Sequence, residues 1–347
     1  MRLRSIGDTV LATPSLIALR RFLPDAQIDV LLEDWVAPIL EGLREVDNVL
    51  TVSRNDKKTR LETALKIRRN KYDVAFNLHG GTTATFFVRA SGAKYRVGFA
   101  NYQYNFLYTH LAPSPLEFWQ TKHAHSAEQQ LALLGFVGVP VVDKPKSHLT
   151  VSKAALDSIE TKLAKSQSPN LKCQIALIHP VAAFDTKQWA TENFARIAEF
   201  LHEKNLSTVA VATLQERRVL ETLRQTSRVP VLIFDDLTLP EITALASRAK
   251  IFVGNDSGIA HIAAAVETPS VVIFGASNID HWRPWTNAPN EIVYAQKACN
   301  HSFGEIRKGS ENPKCIRCVE VKEVCEAIER VLRAEILVAE KRGERLS

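Results

Sequence analysis

Short apolar runs alternate with stretches whose apolar positions recur at helical spacing, from one end of the chain to the other. That alternation predicts an α/β fold built from parallel strands with helical crossovers. In the first half, Ile28–Leu32, Asn48–Val52, Tyr72–Asn77 and Tyr95–Phe99 read as strands. A helix is expected over Pro14–Phe22, with Pro14 in the first turn, where proline is tolerated, and Pro24 beyond its end. In the second half, strands are expected at Cys173–His179, Ser207–Ala212, Pro230–Phe234, Ile251–Val253 and Ser270–Phe274. Helices follow at Glu192–Lys204, Gln215–Gln225 and Pro240–Arg248, and a charged surface helix or two at Val319–Arg345.

The stretch "LTVSKAALDSIETKLAKSQSPNLK" is polar and helical, then breaks at Ser168-Pro169-Asn170. The expected organisation is a Rossmann-like domain over 1–150, a connecting helix and linker over 151–170, and a second Rossmann-like domain over 171–347. The opening "MRLRSIGD" leaves about four residues before the first turn, against the usual ~5–6 for a strand. Either that strand is clipped or the start was assigned too late, and a stub there is expected to weaken the N-terminal sheet.

The bulk numbers narrow the function classes. Apolar residues make up 46% of the 347 and charged residues 24%, the balance of a globular protein. No apolar run approaches the ~18 residues of a membrane span and no leader pattern opens the chain, so a cytoplasmic protein is expected. Five cysteines argue against a disulfide framework. The formal charge of +6 is concentrated in "RNDKKTRLETALKIRRNK", Arg54 to Lys71. No aromatic interleaves that run, which speaks against stacking on nucleic acid bases. It is either a solvated helix face or a dock for an anionic acceptor.

There is no dinucleotide-binding glycine fingerprint after a strand, no phosphate-binding P-loop, no nucleophile elbow and no zinc-protease helix motif. Chemistry is therefore sought at strand ends, where open α/β sheets bind ligands. In "SIGDTVLATP", Gly7 suits a tight turn and Asp8 either caps the next helix or serves as a general base. In "IALIHPVAAFDTKQWATENFARIAEFL", a strand ends at His179, a loop carries Lys187 and Trp189, and Thr191 is the expected N-cap. Lys187 is either a surface lysine or a phosphate ligand. Glu216 lies just inside the next helix, where acids are favoured on electrostatic grounds alone, or it accepts bonds from sugar hydroxyls. The stretch "KIFVGNDSGIAHIAAAVETPSVVIFG" predicts a strand, a polar corner at Asp256, Ser257 and Gly258, and a small-residue helix bearing His261. Free amides at that helix start suit a phosphate, and Asp256 suits sugar hydroxyls. Cys315 and Cys318 form a single C-x-x-C, which Cys299, His301 or Cys325 would have to complete for a structural zinc; reduced thiols are the first expectation.

Together these segments resemble the ADP-heptose:lipopolysaccharide heptosyltransferases, glycosyltransferase family 9. The resemblance runs in order through "RSIGDTVLATPSLIALRRFLPDAQIDVL", "YDVAFNLHGGTTATFFVRASGAKYRVGF", "HAHSAEQQLALLG", "KQWATENFARIAEFL" and "NDSGIAHIAAAVETPSVVIFG", with the first and last most specific. It implies a GT-B fold of two Rossmann-like domains facing across a cleft, and inverting transfer from an ADP-sugar with no required cofactor. It implies Asp8 as catalytic base with Gly7 and Thr9 beside it, Lys187 on the donor phosphate and ribose, and Glu216 near the ribose. Leu237, in Asp236-Leu237-Thr238, would lie along the adenine, and Asp256, Ser257, Gly258 and His261 would form the sugar- and pyrophosphate-binding loop. The implied acceptor is an anionic lipopolysaccharide core met at the inner membrane surface, with no nucleic acid partner. Three positions depart from the family pattern: Val181 for glycine, Ala190 for proline, and Ala212-Thr213-Leu214 for Gly-Gly-Pro. These leave nucleotide and sugar identity open. A nucleotide-sugar epimerase and a non-catalytic glycan-binding member are the alternatives.

Overall fold

The computed structural model describes residues 1–54, 56–166, 174–295 and 315–342. Contacts divide the chain into two compact units, Met1–Thr150 and Val151–Ser347.

The first unit runs α1 (Ile6–Val10), α2 (Thr13–Phe22), β1 (Asp29–Glu33), β2 (Asn48–Val52), α3 (Lys57–Arg69), β3 (Val74–Phe76), α4 (Thr82–Ala90), β4 (Tyr95–Phe99), β5 (His110–Ala112), α5 (Pro115–Trp119) and α6 (Ser126–Gly135). β1 pairs with β2, β3 with β4, and β4 with β5, all parallel. Residues Met1–Leu3 join the two groups. The Met1 amine donates to Phe76 O at 2.8 Å and Leu78 N donates to Met1 O at 3.0 Å. On the other side Arg2 N donates to Leu31 O at 3.1 Å and Glu33 N to Leu3 O at 2.5 Å. Numbered along the chain with Met1–Leu3 as strand one, the order is 3-2-1-4-5-6, the doubly wound arrangement. The first strand is thus a stub at the centre of its sheet. One face of the sheet packs Leu50 and Val52 against Ile67 of α3 and Ala84 and Phe87 of α4. The other packs against Ala18 of α2 and Leu131 and Leu134 of α6.

The second unit runs α7 (Lys153–Lys165), β6 (Gln174–His179), α8 (Thr191–Glu203), β7 (Leu206–Val211), α9 (Arg217–Thr226), β8 (Val231–Phe234), α10 (Leu239–Arg248), β9 (Ala249–Asn255), α11 (Gly258–Ala265), β10 (Ser270–Phe274), α12 (Ile279–Trp282), β11 (Asn290–Tyr294) and α13 (Val321–Arg342). Its parallel sheet is ordered β8-β7-β6-β9-β10-β11, again 3-2-1-4-5-6. The core strands β6, β9 and β10 are apolar on both faces, as strands covered by helices on both sides must be.

Several expectations change in detail. The helix expected to connect the domains, α7, packs on α10, where Ser158 Oγ donates to Glu241 Oε1 at 2.6 Å. The expected break at Ser168-Pro169-Asn170, and Cys173, lie outside the described residues. The C-terminal stretch is one helix over its described part, charged and exposed on its outer face at Lys322, Glu326 and Arg333, while Val324, Ala327, Ile328 and Val331 join the core with α8. Sequence periodicity missed β5 and β11, which are short or half polar. Among the described residues no helix is long and apolar enough to cross a membrane.

Candidate active site

In the second unit the strand order reverses between β6 and β9, so the loops leaving those two strands diverge and open a crevice at their carboxyl ends. The loop after β6 makes a 3-10 turn over Asp185–Lys187 before α8 begins. Thr191 is the first residue of α8 and Ala190 occupies the N-cap, so the expected threonine cap is replaced by an uncapped start. The loop is fixed by Trp189, which is buried. Its backbone N–H donates to Asn255 Oδ1 at 3.0 Å, and its indole N–H to Val319 O at 3.0 Å. This anchorage carries Lys187 back over the end of β9, where Nζ lies 2.8 Å from Asp256 Oδ2. Ser277, just beyond β10, donates to the same oxygen at 2.5 Å. Asp256 is 6% exposed and Lys187 27% at the side chain, so the pair is a lysine reaching in from solvent to a sheltered carboxylate.

Close approach of β10 to this loop depends on Gly275. A Cβ there would stand 2.2 Å from Thr186 O, beside Lys187. Ser257 is the N-cap of α11 but its side chain does not cap; its hydroxyl pairs instead with His179 Nδ1 at 3.0 Å. The first-turn amides of α11, starting at Gly258, therefore keep their capacity for an anion. Burial pushes the His179 imidazole down to about 4 against the opposing pull of Glu216, so it is neutral near neutral pH. His261 is buried in α11, one turn inside the helix.

Glu216 ends the 3-10 turn Leu214–Glu216 and stands at the N-cap of α9, not inside the helix. Its carboxylate accepts from Thr213 N at 3.0 Å and Thr213 Oγ1 at 2.7 Å. Leu237 is half-buried in the turn between β8 and α10, whose N-cap, Thr238, forms a capping box with Glu241. Lys187, Glu216 and Leu237 thus follow three neighbouring strands, β6, β7 and β8, at the same end of the sheet.

In the first unit, Asp8 lies in the first turn of α1, directly after the central stub. Its carboxylate pairs with the Arg2 guanidinium rather than capping the helix. Arg2 is buried and also donates to Leu78 O at 2.7 Å, which fixes it between the stub and the loop after β3. The residue of the turn with positive φ is Ser5, at 76°. Gly7 is buried, and Thr9 is buried with its hydroxyl donating to Ser5 O at 2.8 Å.

One neighbour escaped the sequence reading. His79 follows β3, and its backbone N–H donates to Asn77 Oδ1 at 3.0 Å. Burial, reinforced by Arg2 and Arg4 and opposed by Asp8, pushes its imidazole down to about 4. It therefore shares the electrostatic environment of Asp8 as a neutral ring. The available signal was "NLHGG" at the end of an expected strand. Ser277 was also missed, because it belongs to no local motif; Asn255 stands in the quoted polar corner but was given no role of its own.

No group of three or more His, Cys, Asp or Glu among the described residues is arranged to hold a metal. Cys299 and His301 lie outside the described residues. Cys315 is buried and Cys318 half-buried at the 3-10 turn before α13, and burial pushes the Cys325 thiol up to about 11.

Comparison with known proteins adds to this geometry. A model of glycosyltransferase family 9 (heptosyltransferase) matches residues 60–311. Lipopolysaccharide heptosyltransferase 3 of Escherichia coli strain K12 is 26% identical over 220 residues, 60% of this chain and 60% of that protein. Among solved structures, a family 9 glycosyl transferase from Veillonella parvula superposes with a TM-score of 0.80 at 18% identity, over 96% of this chain and 95% of that one. The E. coli ADP-heptose lps heptosyltransferase II superposes with a TM-score of 0.78 at 19% identity, over 97% and 100%. These two share the GT-B fold of two Rossmann-like domains with this chain.

Proposed function

The chain belongs to glycosyltransferase family 9, the heptosyltransferases, and on that premise we propose that it moves a heptose, or a closely related sugar, from an ADP-activated donor onto an anionic lipopolysaccharide core. The observation that carries the donor side is the Lys187–Asp256–Ser277 cluster at the switch point of the second unit, beside the uncapped start of α11.

In this reading the diphosphate sits on the first-turn amides of α11 and draws Lys187 away from Asp256. Asp256, relieved of the lysine, accepts bonds from sugar hydroxyls. Ser257 and His261 line the same loop, and Glu216 and Leu237 receive the ribose and adenine along the neighbouring strand ends. Asp8 is the base. It removes the proton of the acceptor hydroxyl as that oxygen bonds to the anomeric carbon, and the sugar–phosphate bond breaks on the opposite face with its electron pair leaving on ADP. Inversion follows from that geometry. Lys187 and the α11 dipole stabilise the charge growing on the diphosphate, and no metal is given a part. Arg2 keeps Asp8 in place through its ion pair, while Gly7 and Thr9 shape the turn that presents it.

The acceptor reading draws on α3. Its lysines and arginines are interrupted by Leu61 and Leu65, one turn apart and both exposed. A basic helix with an apolar ridge suits the phosphate-rich face of a lipopolysaccharide-bearing membrane, so peripheral attachment at the inner surface is part of the proposal.

Thermal stabilisation by ADP, UDP, GDP and CMP tests the donor. Nucleotide at 100 times its dissociation constant adds about 2.7 kcal/mol. Selective response to ADP, lost in Lys187→Ala, is expected; equal response to all four, or none to ADP, would reject an ADP-sugar donor.

A further inference from the structure

Residues 235–238 form the turn that leaves β8 and enters α10, and side chains of three helices hold it. On one side Arg217, the first residue of α9, donates through Nη1 to Asp235 Oδ2 at 3.0 Å and through Nε to Glu221 Oε1 at 2.9 Å. On the other, Lys162 of α7 places Nζ 3.6 Å from Asp236 Oδ2 and 3.2 Å from Glu241 Oε1. Glu241 of α10 is the hub. Its Oε2 accepts from Thr238 N at 2.8 Å and from Thr238 Oγ1 at 3.0 Å, and its Oε1 accepts from Ser158 Oγ of α7 at 2.6 Å. Leu237 has no polar side chain to anchor, yet its neighbours on both sides are tied.

That anchorage exceeds what a helix start requires. A capping box needs only the exchange between Thr238 and Glu241, which leaves the second carboxylate oxygen for water. Here the Glu241 side chain is 10% exposed, and that second oxygen meets two donors from another helix. Donors at both ends demand a carboxylate, since an amide accepts at one end only. Joining α7 to α10 does not call for it. Arg248, at the far end of α10 from the turn, already pairs with Glu160 of α7 at 3.9 Å, with both side chains largely exposed. What the buried carboxylate adds is a fixed turn. A turn ordered in advance spares a ligand the entropy of ordering it.

We infer that Lys162 and Glu241 are positioning residues for the nucleotide base: the clamp between α7 and α10 holds Leu237 where a purine lies, and so sets affinity and selectivity for the base without touching it. This role rests on the turn at 235–238 receiving the adenine, as proposed above. Arg217 braces the turn from the opposite side. Because it directly follows Glu216, it also ties the end of β8 to the residue assigned to the ribose, which keeps the base and ribose contacts in register. The diphosphate groups stand apart from the clamp. Lys187 follows β6 and α11 follows β9, two and three strands from β8, roughly 10–14 Å at the spacing of a sheet. Loosening the base turn therefore leaves them intact.

Calorimetric titration of the full chain with ADP, GDP and inorganic pyrophosphate, run well below the Tm of every variant, tests this. Leu237→Ala probes the base contact itself, Lys162→Met and Glu241→Gln open the clamp, and Arg248→Met removes the other pair between the same helices. ADP should bind roughly 5–30-fold more weakly in Glu241→Gln, and less so in Lys162→Met, with a narrower preference for ADP over GDP. Pyrophosphate should stay within ~2-fold of the natural chain in both. Lys162→Arg, which keeps a cation between the two carboxylates, should restore ADP binding, and Arg248→Met should change neither ligand. Unchanged ADP affinity in Leu237→Ala would take the adenine away from this turn and the clamp's role with it. Loss in Leu237→Ala but none in Lys162→Met or Glu241→Gln would overturn the clamp and leave the adenine where it is. Equal loss of ADP and pyrophosphate in the clamp variants would also overturn it, since that is the mark of a loosened unit and not of a positioned base.

Discussion

If Lys187 is held by Asp256 until a diphosphate claims it, removing the carboxylate charge should strengthen ADP binding. The perturbation is Asp256→Asn, paired with Lys187→Met and the double variant. At the observed 2.8 Å the Coulomb energy of the pair runs from about 1.5 kcal/mol at the dielectric constant of water to about 6 kcal/mol at an effective value of ~20. Asp256 is nearly buried and Lys187 about a quarter exposed, so desolvation takes back much of the larger figure. We expect a net coupling of about 1–2 kcal/mol in the unliganded protein, measured by a double-mutant cycle in urea. Breaking that pair is a cost that ADP must meet in the natural chain and not in Asp256→Asn. Calorimetric titration should therefore give ADP about 5–30-fold tighter in Asp256→Asn and much weaker in Lys187→Met, while the sugar nucleotide loses affinity in both. A coupling below about 0.3 kcal/mol, or ADP binding weakened by Asp256→Asn, would refute the exchange of partners.

Three other outcomes follow from the geometry. Asp8→Asn should leave the ADP-induced rise in Tm intact and lower kcat by at least ~100-fold; unchanged turnover would remove Asp8 as base. Gly275→Ala forces a Cβ toward Thr186 O, and should cost about 1–3 kcal/mol of stability and displace Lys187, seen as a lower Tm and a smaller response to ADP. The Glu241 carboxyl, buried but held ionised by Ser158, Thr238 and Lys162, is lowered to about 2. A carboxyl depressed on folding contributes stability that is present above its unfolded value near 4.5 and is lost as pH falls toward 2. Acid titration between those limits should cost about 2–3 kcal/mol, and Glu241→Gln should flatten that part of the Tm profile.

Legibility in the sequence tracked how local each cause was. Asn48–Val52, Tyr95–Phe99 and Ser270–Phe274 are apolar, bounded runs, and each is a strand over those residues. β5 has three residues and β11 reads Asn-Glu-Ile-Val-Tyr, too short or too polar at an edge to stand out. Asp8, Lys187 and Asp256 were readable as candidates because each follows a strand. That Lys187 meets Asp256, 69 residues on, and that Ser277 joins them was not readable, since only the strand order brings those loops together. Gly7 was read as suiting a tight turn, and the positive φ of that turn falls on Ser5, where the stub turns sharply into α1. The short first strand was visible in the sequence; its place at the centre of the sheet, between β1 and β3, belongs to the third dimension.

The central position of Met1–Leu3 also sets an order of events on the ribosome. These residues are made well before either neighbour, and their partner on β3 lies 75 residues downstream. At ~5–20 residues per second, roughly 4–15 s of synthesis separate the two. The second unit repeats the pattern, with β6 waiting for β9 while β7 and β8 can pair beside it first. In both halves the crevice-forming crossover is therefore the late step of assembly. Each candidate site comes into being only when its sheet closes: a nascent chain arrested before β3 carries Arg2 and Asp8 without the geometry to use them, and one arrested before β9 carries Lys187 and Glu216 but not yet Asp256.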